Sequence, residues 1–145
     1  SEMCIRDRSA GVLTRRRPTT EEWEDIRFGF ETAKVMGSMD IGQTVVVKRK
    51  AVMAVEAIEG TDACIRRGGE LGRGNAVVVK TAKPGQDTRF DVPAVGLATL
   101  RSMLDSGCSI LAMEAERTLF VEQKEVLALA DAKGICICAV DEIRE

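Results

Sequence analysis

The stretch Ala76–Val77–Val78–Val79–Lys80 decides the fold that this sequence predicts. Its valines do not alternate with polar residues, which indicates a strand that is buried on both faces of a sheet. A charged segment, Lys80–Pro93, follows at once, and a helix-like run begins near Val95. Because loops at strand ends display reactive groups on a rigid scaffold, we expect the chemistry of the chain in this segment.

Strands and helices alternate from this strand onward. The apolar pattern predicts helices over Val95–Gly107 and Glu122–Ala132, with strands at Cys108–Met113 and Ile135–Val140. Such alternation is typical of parallel strands joined through helices.

A helix and a hairpin are predicted upstream of the same strand. The helix begins at a threonine cap, Thr19 or Thr20, and ends at Gly37, with the residues Trp23, Ile26, Phe30, Ala33 and Val35 on its core face. Strands at Gln43–Lys48 and Val52–Glu56 are separated by a tight turn. The sequence therefore predicts an α/β fold with a mixed, mostly parallel sheet, an N-terminal antiparallel hairpin and flanking helices.

A short helix is predicted after the hairpin. Thr61 or Asp62 can cap it, and it runs through Ala63–Ile65. Four glycines are predicted to form its end and the loop that follows, namely Gly68, Gly69, Gly72 and Gly74.

The domain boundaries follow from length and periodicity. The 145 residues fit one domain, and we expect residues 1–10 to be a non-native or disordered lead because residues 1–9 show no periodicity. Residues 11–145 then form the domain itself. The basic stretch Gly11–Arg17 is interpreted as a solvated linker, with a phosphate-facing arm as the alternative.

Composition excludes several classes of function. A net charge of -2 and an aromatic content of 3% argue against nucleic acid as a partner. Five cysteines without a CxxC pair favour buried small residues and a reducing, cytoplasmic compartment. The chain contains no histidine, so hydrolytic chemistry has to use carboxylates, lysine, arginine or a metal with oxygen ligands such as Mg²⁺, Mn²⁺ or Ca²⁺.

Acidic side chains follow two of the predicted strands: Glu56, Glu59 and Asp62 after one, Asp87 and Asp91 after the other. If the two strands are neighbours, these acids converge and require cations, which Lys80, Lys83, Arg89 or a divalent ion could supply. Carboxylates with a metal, lysine and arginine are the groups that a phosphate-transfer site needs. The same segments also fit a solvated charged loop and a helix cap.

Several motifs together resemble one family in order and spacing: Asp40–Gln43, Val45–Lys48, Val55–Asp62, Val79–Lys80, Ala82–Pro84 and Gln86–Pro93. The chain is similar to the carboxy-terminal domain of the I-type (LpxI-type) UDP-2,3-diacylglucosamine pyrophosphatases of lipid A biosynthesis. The resemblance covers roughly Gly11 to Val140.

The resemblance implies a hydrolase, a UDP-2,3-diacylglucosamine diphosphatase. Water attacks the α-phosphorus, and the products are UMP and lipid X, which is 2,3-diacylglucosamine 1-phosphate. A divalent metal, Mg²⁺ or Mn²⁺, is implied as cofactor. The resemblance also implies a cytoplasmic enzyme that serves the Gram-negative outer membrane, with peripheral inner-membrane contact and a homo-oligomer left open.

The resemblance assigns roles to nine residues. Catalytic roles fall to Asp87, Asp62 and Arg89, and metal binding falls to Asp87, Asp62 and Asp91. Substrate binding is implied for Lys80, Lys83, Gln86, Glu59 and Thr61. The amino-terminal domain of the family is missing from the chain and is an expected partner. The alternative function is therefore a non-catalytic domain that binds a nucleotide or phosphosugar, or an inactive fragment that needs its partner domain.

Overall fold

The computed structural model of the protein describes residues 2–3, 11–82, 94–115, 118–140 and 143–144. Its helices are α1 (Thr20–Ser38), α2 (Thr61–Gly72), α3 (Leu97–Ser106) and α4 (Gln123–Lys133). Its strands are β1 (Glu2–Met3), β2 (Thr44–Lys48), β3 (Ala51–Val55), β4 (Ala76–Lys80), β5 (Ala94–Val95), β6 (Cys108–Glu114), β7 (Leu119–Phe120), β8 (Cys136–Val140) and β9 (Ile143–Arg144).

A five-stranded sheet in the order β3–β2–β4–β6–β8 organises these elements. Strand β2 pairs antiparallel with both β3 and β4, whereas β4, β6 and β8 are parallel. Val79 of the central strand pairs with Val45 on one side and with Ala112 on the other. The arrangement confirms the predicted α/β fold, with an antiparallel hairpin beside parallel strands and helices around the sheet.

The two strands that precede the predicted acidic residues are β3 and β4. They are not adjacent, because β2 lies between them. Since β2 is antiparallel to both, β3 and β4 run in the same direction. Their carboxyl ends therefore lie at the same end of the sheet, together with the carboxyl ends of the parallel strands β6 and β8. We call this the carboxyl end of the sheet. The groups that follow β3 and β4 can meet there although their strands do not pair.

The central strand is buried on both faces, as predicted. Val77 and Val79 pack on the α1 side, where Phe30 belongs to the same apolar cluster. Val78 packs on the other side in a cluster that includes Ile65 of α2. The apolar run without alternation therefore reflects two cores, one on each face of the sheet.

Helix α1 begins as the sequence predicts. The Thr19 hydroxyl accepts the backbone N–H of Glu22, whose carboxylate in turn accepts the backbone N–H of Thr19, so the pair forms a capping box. The helix ends at Ser38, one residue beyond the predicted Gly37. Val35 does not belong to the core face, because 61% of the residue is exposed.

The prediction for α2 was wrong at its start and only partly right at its end, where Gly72 is the last helical residue and Gly74 lies in the loop. Gly60 is its N-cap, and neither Thr61 nor Asp62 caps it. Gly68 and Gly69 do not end the helix but lie inside it. A Cβ atom on Gly68 would lie 2.4 Å from the Cβ of Val46, so the absent side chain is what lets the helix pack directly on β2. Tertiary packing therefore overrides the low helix propensity of glycine.

Two further predictions are corrected. Val95 was predicted to begin a helix, but it lies in β5, which pairs with β7, and α3 starts at Leu97. Gly11–Arg17 is not a solvated linker, because the Leu13 N–H donates to Ile137 O at 2.8 Å and this segment lies along β8. Its Arg16 guanidinium pairs with the Glu22 carboxylate at 2.8 Å.

Other predictions were tested only in part. Cys64, Cys108, Cys136 and Cys138 are free and buried, as expected of small core residues, and Cys4 lies outside the described residues. Glu2–Met3 pairs with Ile143–Arg144, and the interpretation of residues 1–10 as a non-native lead stays a prediction. None of the described helices is both long and apolar enough to cross a membrane.

Candidate active site

Predicted site residues fall into two groups. Glu59, Thr61, Asp62 and Lys80 belong to the described part of the chain. The other predicted residues lie outside the described residues, and their roles stay predictions: Lys83, Gln86, Asp87, Arg89 and Asp91.

Lys80 ends β4 and turns its side chain to the α2 side of the sheet. The Nζ atom donates to the Thr61 hydroxyl at 3.2 Å and to the backbone carbonyl of Ala94 at 3.3 Å. The side chain is buried, with only 7% of the residue exposed. In the sequence analysis, only the family resemblance assigned Lys80 and Thr61 to the same site. In the structure the two side chains are in contact.

Burial changes the ionisation of this lysine. Removal from water lowers the pKa of Lys80, because the charged form loses solvation. The nearby carboxylates of Glu56 and Asp62 act in the opposite direction, although they do not cancel the effect. The acids that follow β3 therefore lie within electrostatic reach of the lysine that ends β4.

The Thr61 hydroxyl connects Lys80 to a carboxylate. It donates to Glu56 Oε1 at 3.3 Å while it accepts from the Lys80 ammonium, and Thr44 Oγ1 lies 3.4 Å away. The backbone N–H of Gln43 also donates to Glu56 Oε1, at 3.3 Å. The result is a carboxylate–hydroxyl–ammonium chain built from the residue that follows β3, the first residue of α2 and the last residue of β4, with Thr44 of β2 beside it. No sequence pattern marks Thr44 as a site residue. Its contact with Thr61 becomes visible only in the folded sheet.

Glu59 and Asp62 have different surroundings. Both Glu59 oxygens have partners, since Oε1 accepts the Ala57 N–H within the loop at 3.1 Å and Oε2 pairs with Arg67 of α2 at 2.8 Å. These contacts hold the pKa of Glu59 below its ordinary value, first through the Ala57 hydrogen bond and then through the Arg67 guanidinium. Asp62 lies in the first turn of α2, where the helix dipole favours a negative charge.

A second polar cluster lies on the α1 side of the same sheet end. Glu114 ends β6 and is only 4% exposed. Its Oε1 accepts the backbone N–H of Ala82 at 2.8 Å, and its Oε2 pairs with Lys34 Nζ at 2.7 Å. This carboxylate was not among the predicted site residues, because the predicted strand ended one residue earlier and a lone glutamate after an apolar run carries no further signal.

Both neighbours of segment 83–93 are held at this end of the sheet. Ala82 is bound through its amide by Glu114, and Ala94 is bound through its carbonyl by Lys80. The predicted residues Asp87 and Arg89 belong to the segment between these two anchored positions.

A cavity of about 480 Å³ adjoins Glu56. It is lined by residues 40–43, 56–58 and 60, so it opens next to the carboxylate–hydroxyl–ammonium chain. The two loops approach very closely at this point, since a Cβ on Gly42 would lie 2.0 Å from the Glu56 carbonyl oxygen.

The oxygen donors of the site suit a hard divalent cation by type. Carboxylate and hydroxyl oxygens are the ligands that Mg²⁺ and Mn²⁺ prefer. Among the residues that the structure describes, however, no three Asp, Glu, His or Cys side chains cluster closely enough to hold a metal ion. A complete carboxylate set would need Asp87 or Asp91, which lie outside the described residues.

Comparison with known proteins identifies relatives for most of the chain. The family model described as the LpxI C-terminal domain matches residues 9–138. A protein of Caulobacter vibrioides named UDP-2,3-diacylglucosamine pyrophosphatase LpxI is 40% identical over 139 residues, which cover 90% of this chain. The chain spans about half the length of that curated relative, since the match covers 50% of it.

Proposed function

The chain belongs to the LpxI C-terminal domain family, and from this premise we propose that it is the catalytic half of a UDP-2,3-diacylglucosamine pyrophosphatase. The observation that carries the proposal is the buried Lys80 ammonium, held at the carboxyl end of the sheet by Thr61 and Ala94. A buried cation of this kind suits a substrate that carries the two negative charges of a pyrophosphate.

In the proposed reaction, the oxygen of a water molecule forms a bond to one phosphorus of the pyrophosphate of UDP-2,3-diacylglucosamine. The bond between this phosphorus and the bridging oxygen breaks, and the water releases a proton to solvent. The products are UMP and 2,3-diacylglucosamine 1-phosphate, one of which carries the new oxygen and the other the bridging oxygen. This assignment places the chain in lipid A synthesis, in the cytoplasm and with peripheral contact to the inner membrane where the lipid substrate resides.

Lys80 supplies positive charge to the phosphate oxygens. Because the lysine lies in a buried environment, its attraction to an anion is stronger than that of a solvated lysine. Thr61 and Glu56 help to fix the direction of the ammonium, since the hydroxyl accepts from Lys80 while its own proton is donated to the carboxylate. The cation is therefore aimed before the substrate arrives, and less reorganisation is needed in the transition state.

The residues of segment 83–93 complete the proposed site. Lys83 and Arg89 would bind phosphate oxygens, and Gln86 would orient the substrate or the water. Asp87, assisted by Asp62 or Asp91, would hold a divalent cation such as Mg²⁺ or Mn²⁺. When bound, such an ion neutralises phosphate charge and lowers the pKa of a coordinated water.

The length of the relative supports a second candidate. Because the chain covers only half of that protein, it could bind a nucleotide or phosphosugar without turnover until an amino-terminal half joins it. That half is the partner that we propose for this chain. A homo-oligomer of this chain is a further possible assembly, and the molar mass of the purified protein in solution measures it.

The deciding experiment is an assay for UMP. The chain is incubated with UDP-2,3-diacylglucosamine and Mg²⁺, alone and with the amino-terminal half of the Caulobacter relative added as a separate chain. We expect UMP release that EDTA abolishes and that Asp87→Ala lowers by about 10²-fold or more. Asp105→Ala is the matched control, because this carboxylate pairs with Arg66 on an exposed surface.

Each result has a defined meaning. Turnover that persists in Asp87→Ala would remove the metal assignment. Release of UMP only when the second half is added would show that this chain is incomplete as an enzyme. Absence of UMP in both mixtures, with retained binding of UDP, would support the non-catalytic function.

A further inference from the structure

The buried carboxylate of Glu114 takes no part in the chemistry proposed above. It lies on the α1 side of the sheet, whereas Lys80 points to the α2 side. A nearly buried charge requires a partner and hydrogen bonds to offset its lost solvation. Glu114 has both, and each of its two oxygens serves a different donor.

The donor on Oε1 is the backbone N–H of Ala82, two residues beyond Lys80. The intervening Thr81 N–H donates to the Gln43 carbonyl at 2.9 Å. The backbone that leaves β4 is therefore fixed at two successive positions, Thr81 by the Gln43 carbonyl and Ala82 by the Glu114 side chain. Since Lys80 immediately precedes both, the direction in which its side chain leaves the strand depends on these two bonds.

The donor on Oε2 is the Lys34 ammonium from α1, at 2.7 Å. This cation offsets the charge of Glu114 and leaves the other oxygen to Ala82. The arrangement links helix α1 to the end of β4 through one side chain.

We propose that Glu114 is a positioning residue for the pyrophosphatase site. Through the Ala82 amide it holds the end of β4, so that the Lys80 ammonium stays on Thr61 and Ala94. The inference rests on the proposed function, in which Lys80 binds the pyrophosphate. It concerns a side chain that does not touch the substrate and that acts from the opposite face of the sheet.

Glu114→Gln tests the positioning role, because it reduces the acceptor oxygens of this side chain from two to one. In Glu114→Gln the side chain keeps one oxygen for two donors, and the Lys34 ammonium attracts it more strongly than the neutral Ala82 amide does. We therefore expect Ala82 to lose its partner. In the double variant Glu114→Gln with Lys34→Met the competing cation is gone, and the glutamine oxygen is free to accept from Ala82 again.

The first readout is steady-state turnover of UDP-2,3-diacylglucosamine by the chain, under the conditions in which the wild type is active. Glu114→Gln should lower kcat by about ten- to a hundredfold, because small displacements at a site cost that much, and KM should change less. The double variant should recover most of the lost kcat.

Asp25→Asn is the matched control. Asp25 is also a nearly buried carboxylate, and its two oxygens accept the backbone N–H groups of Arg49 and Lys50 at the opposite end of the sheet. Its variant should keep the kcat of the wild type when rates are expressed per folded molecule. Equal losses of kcat in Glu114→Gln and Asp25→Asn, or no loss in Glu114→Gln, would overturn the inference while the proposed function stands.

The second readout does not depend on activity. Hydrogen exchange of the Ala82 amide, followed by NMR, should become at least about tenfold faster in Glu114→Gln and return toward the wild-type rate in the double variant. If the wild-type chain releases no UMP, the proposed function fails for this chain. Hydrogen exchange of the Ala82 amide then tests by itself whether Glu114 holds the end of β4. Unchanged exchange of Ala82 in Glu114→Gln overturns the inference whatever the activity.

Discussion

The Lys80 ammonium lies 3.2 Å from the Thr61 hydroxyl, although the two residues are 19 positions apart and belong to different elements. One ends the central strand β4, and the other opens helix α2. The contact exists because the hairpin strand β3 and the central strand β4 run in the same direction on either side of β2. It joins the end of β4 to the helix that follows β3, although β3 and β4 do not pair.

Removal of the Lys80 charge should impair turnover much more than stability. Lys80→Met keeps most of the buried aliphatic stem but loses the ammonium that the proposed function assigns to the pyrophosphate. We expect a fall in kcat/KM of about 10²-fold, the usual effect of losing one charge-stabilising group. UMP release at several substrate concentrations measures it.

Lys48→Met is the matched control for this variant. Lys48 is also partly buried and donates to two backbone carbonyls, those of Gly72 and Gly74, at the opposite end of the sheet. Its loss should lower the free energy of unfolding by about 1 kcal/mol and leave kcat/KM nearly unchanged. Similar losses of kcat/KM in both lysine variants would contradict the role of Lys80.

The pH dependence of activity should depend on the same residue. Burial lowers the pKa of Lys80 below its ordinary value of 10.5, so the ammonium is lost at a lower pH than on an exposed lysine. We expect kcat/KM to fall as the pH rises through this lowered pKa. Lys80→Arg keeps its charge throughout this range, so the alkaline decline should move to higher pH or disappear.

Stability provides an independent check on the sign of the shift. Between the lowered pKa of folded Lys80 and 10.5, the unfolded chain binds more protons than the folded chain. The contribution of Lys80 to the free energy of unfolding therefore rises with pH in this window. Urea unfolding at several pH values should show a smaller rise in Lys80→Met. An identical pH dependence in both proteins would refute the shift.

Helix α2 should be sensitive to substitution at one glycine and tolerant at another. A Cβ on Gly68 would lie 2.4 Å from the Cβ of Val46, so Gly68→Ala must displace α2 from the sheet. We expect a loss of about 1–3 kcal/mol in the free energy of unfolding, as for other overpacked cores. Urea denaturation measures this loss.

Gly72→Ala is the control in the same helix. The nearest atom to its added Cβ would be 3.4 Å away, and alanine favours the helix by up to about 1 kcal/mol over glycine. The variant should therefore be as stable as the wild type or slightly more stable. A Gly68→Ala protein as stable as Gly72→Ala would show that α2 does not need a glycine against β2.

The sequence alone determined the secondary structure and its order for most of the chain. Apolar runs identify β4, β6 and β8, and Thr19, one of the two predicted caps, begins α1. Signals of this kind are local, because burial pattern and caps depend on residues a few positions apart. The family motifs, including those around Lys80, could also be recognised from order and spacing.

Only the tertiary structure decided what those elements bring together. Gly68 and Gly69 carry the same local signal as a helix end, yet contact with β2 and α3 keeps them inside α2. Glu114 and Lys34 lie 80 positions apart, and no local pattern connects them. The insertion of β2 between β3 and β4 determines which side chains share the carboxyl end of the sheet. Strand order depends on packing between distant segments, so the contacts of Lys80 and Glu114 became visible only once the sheet was assembled.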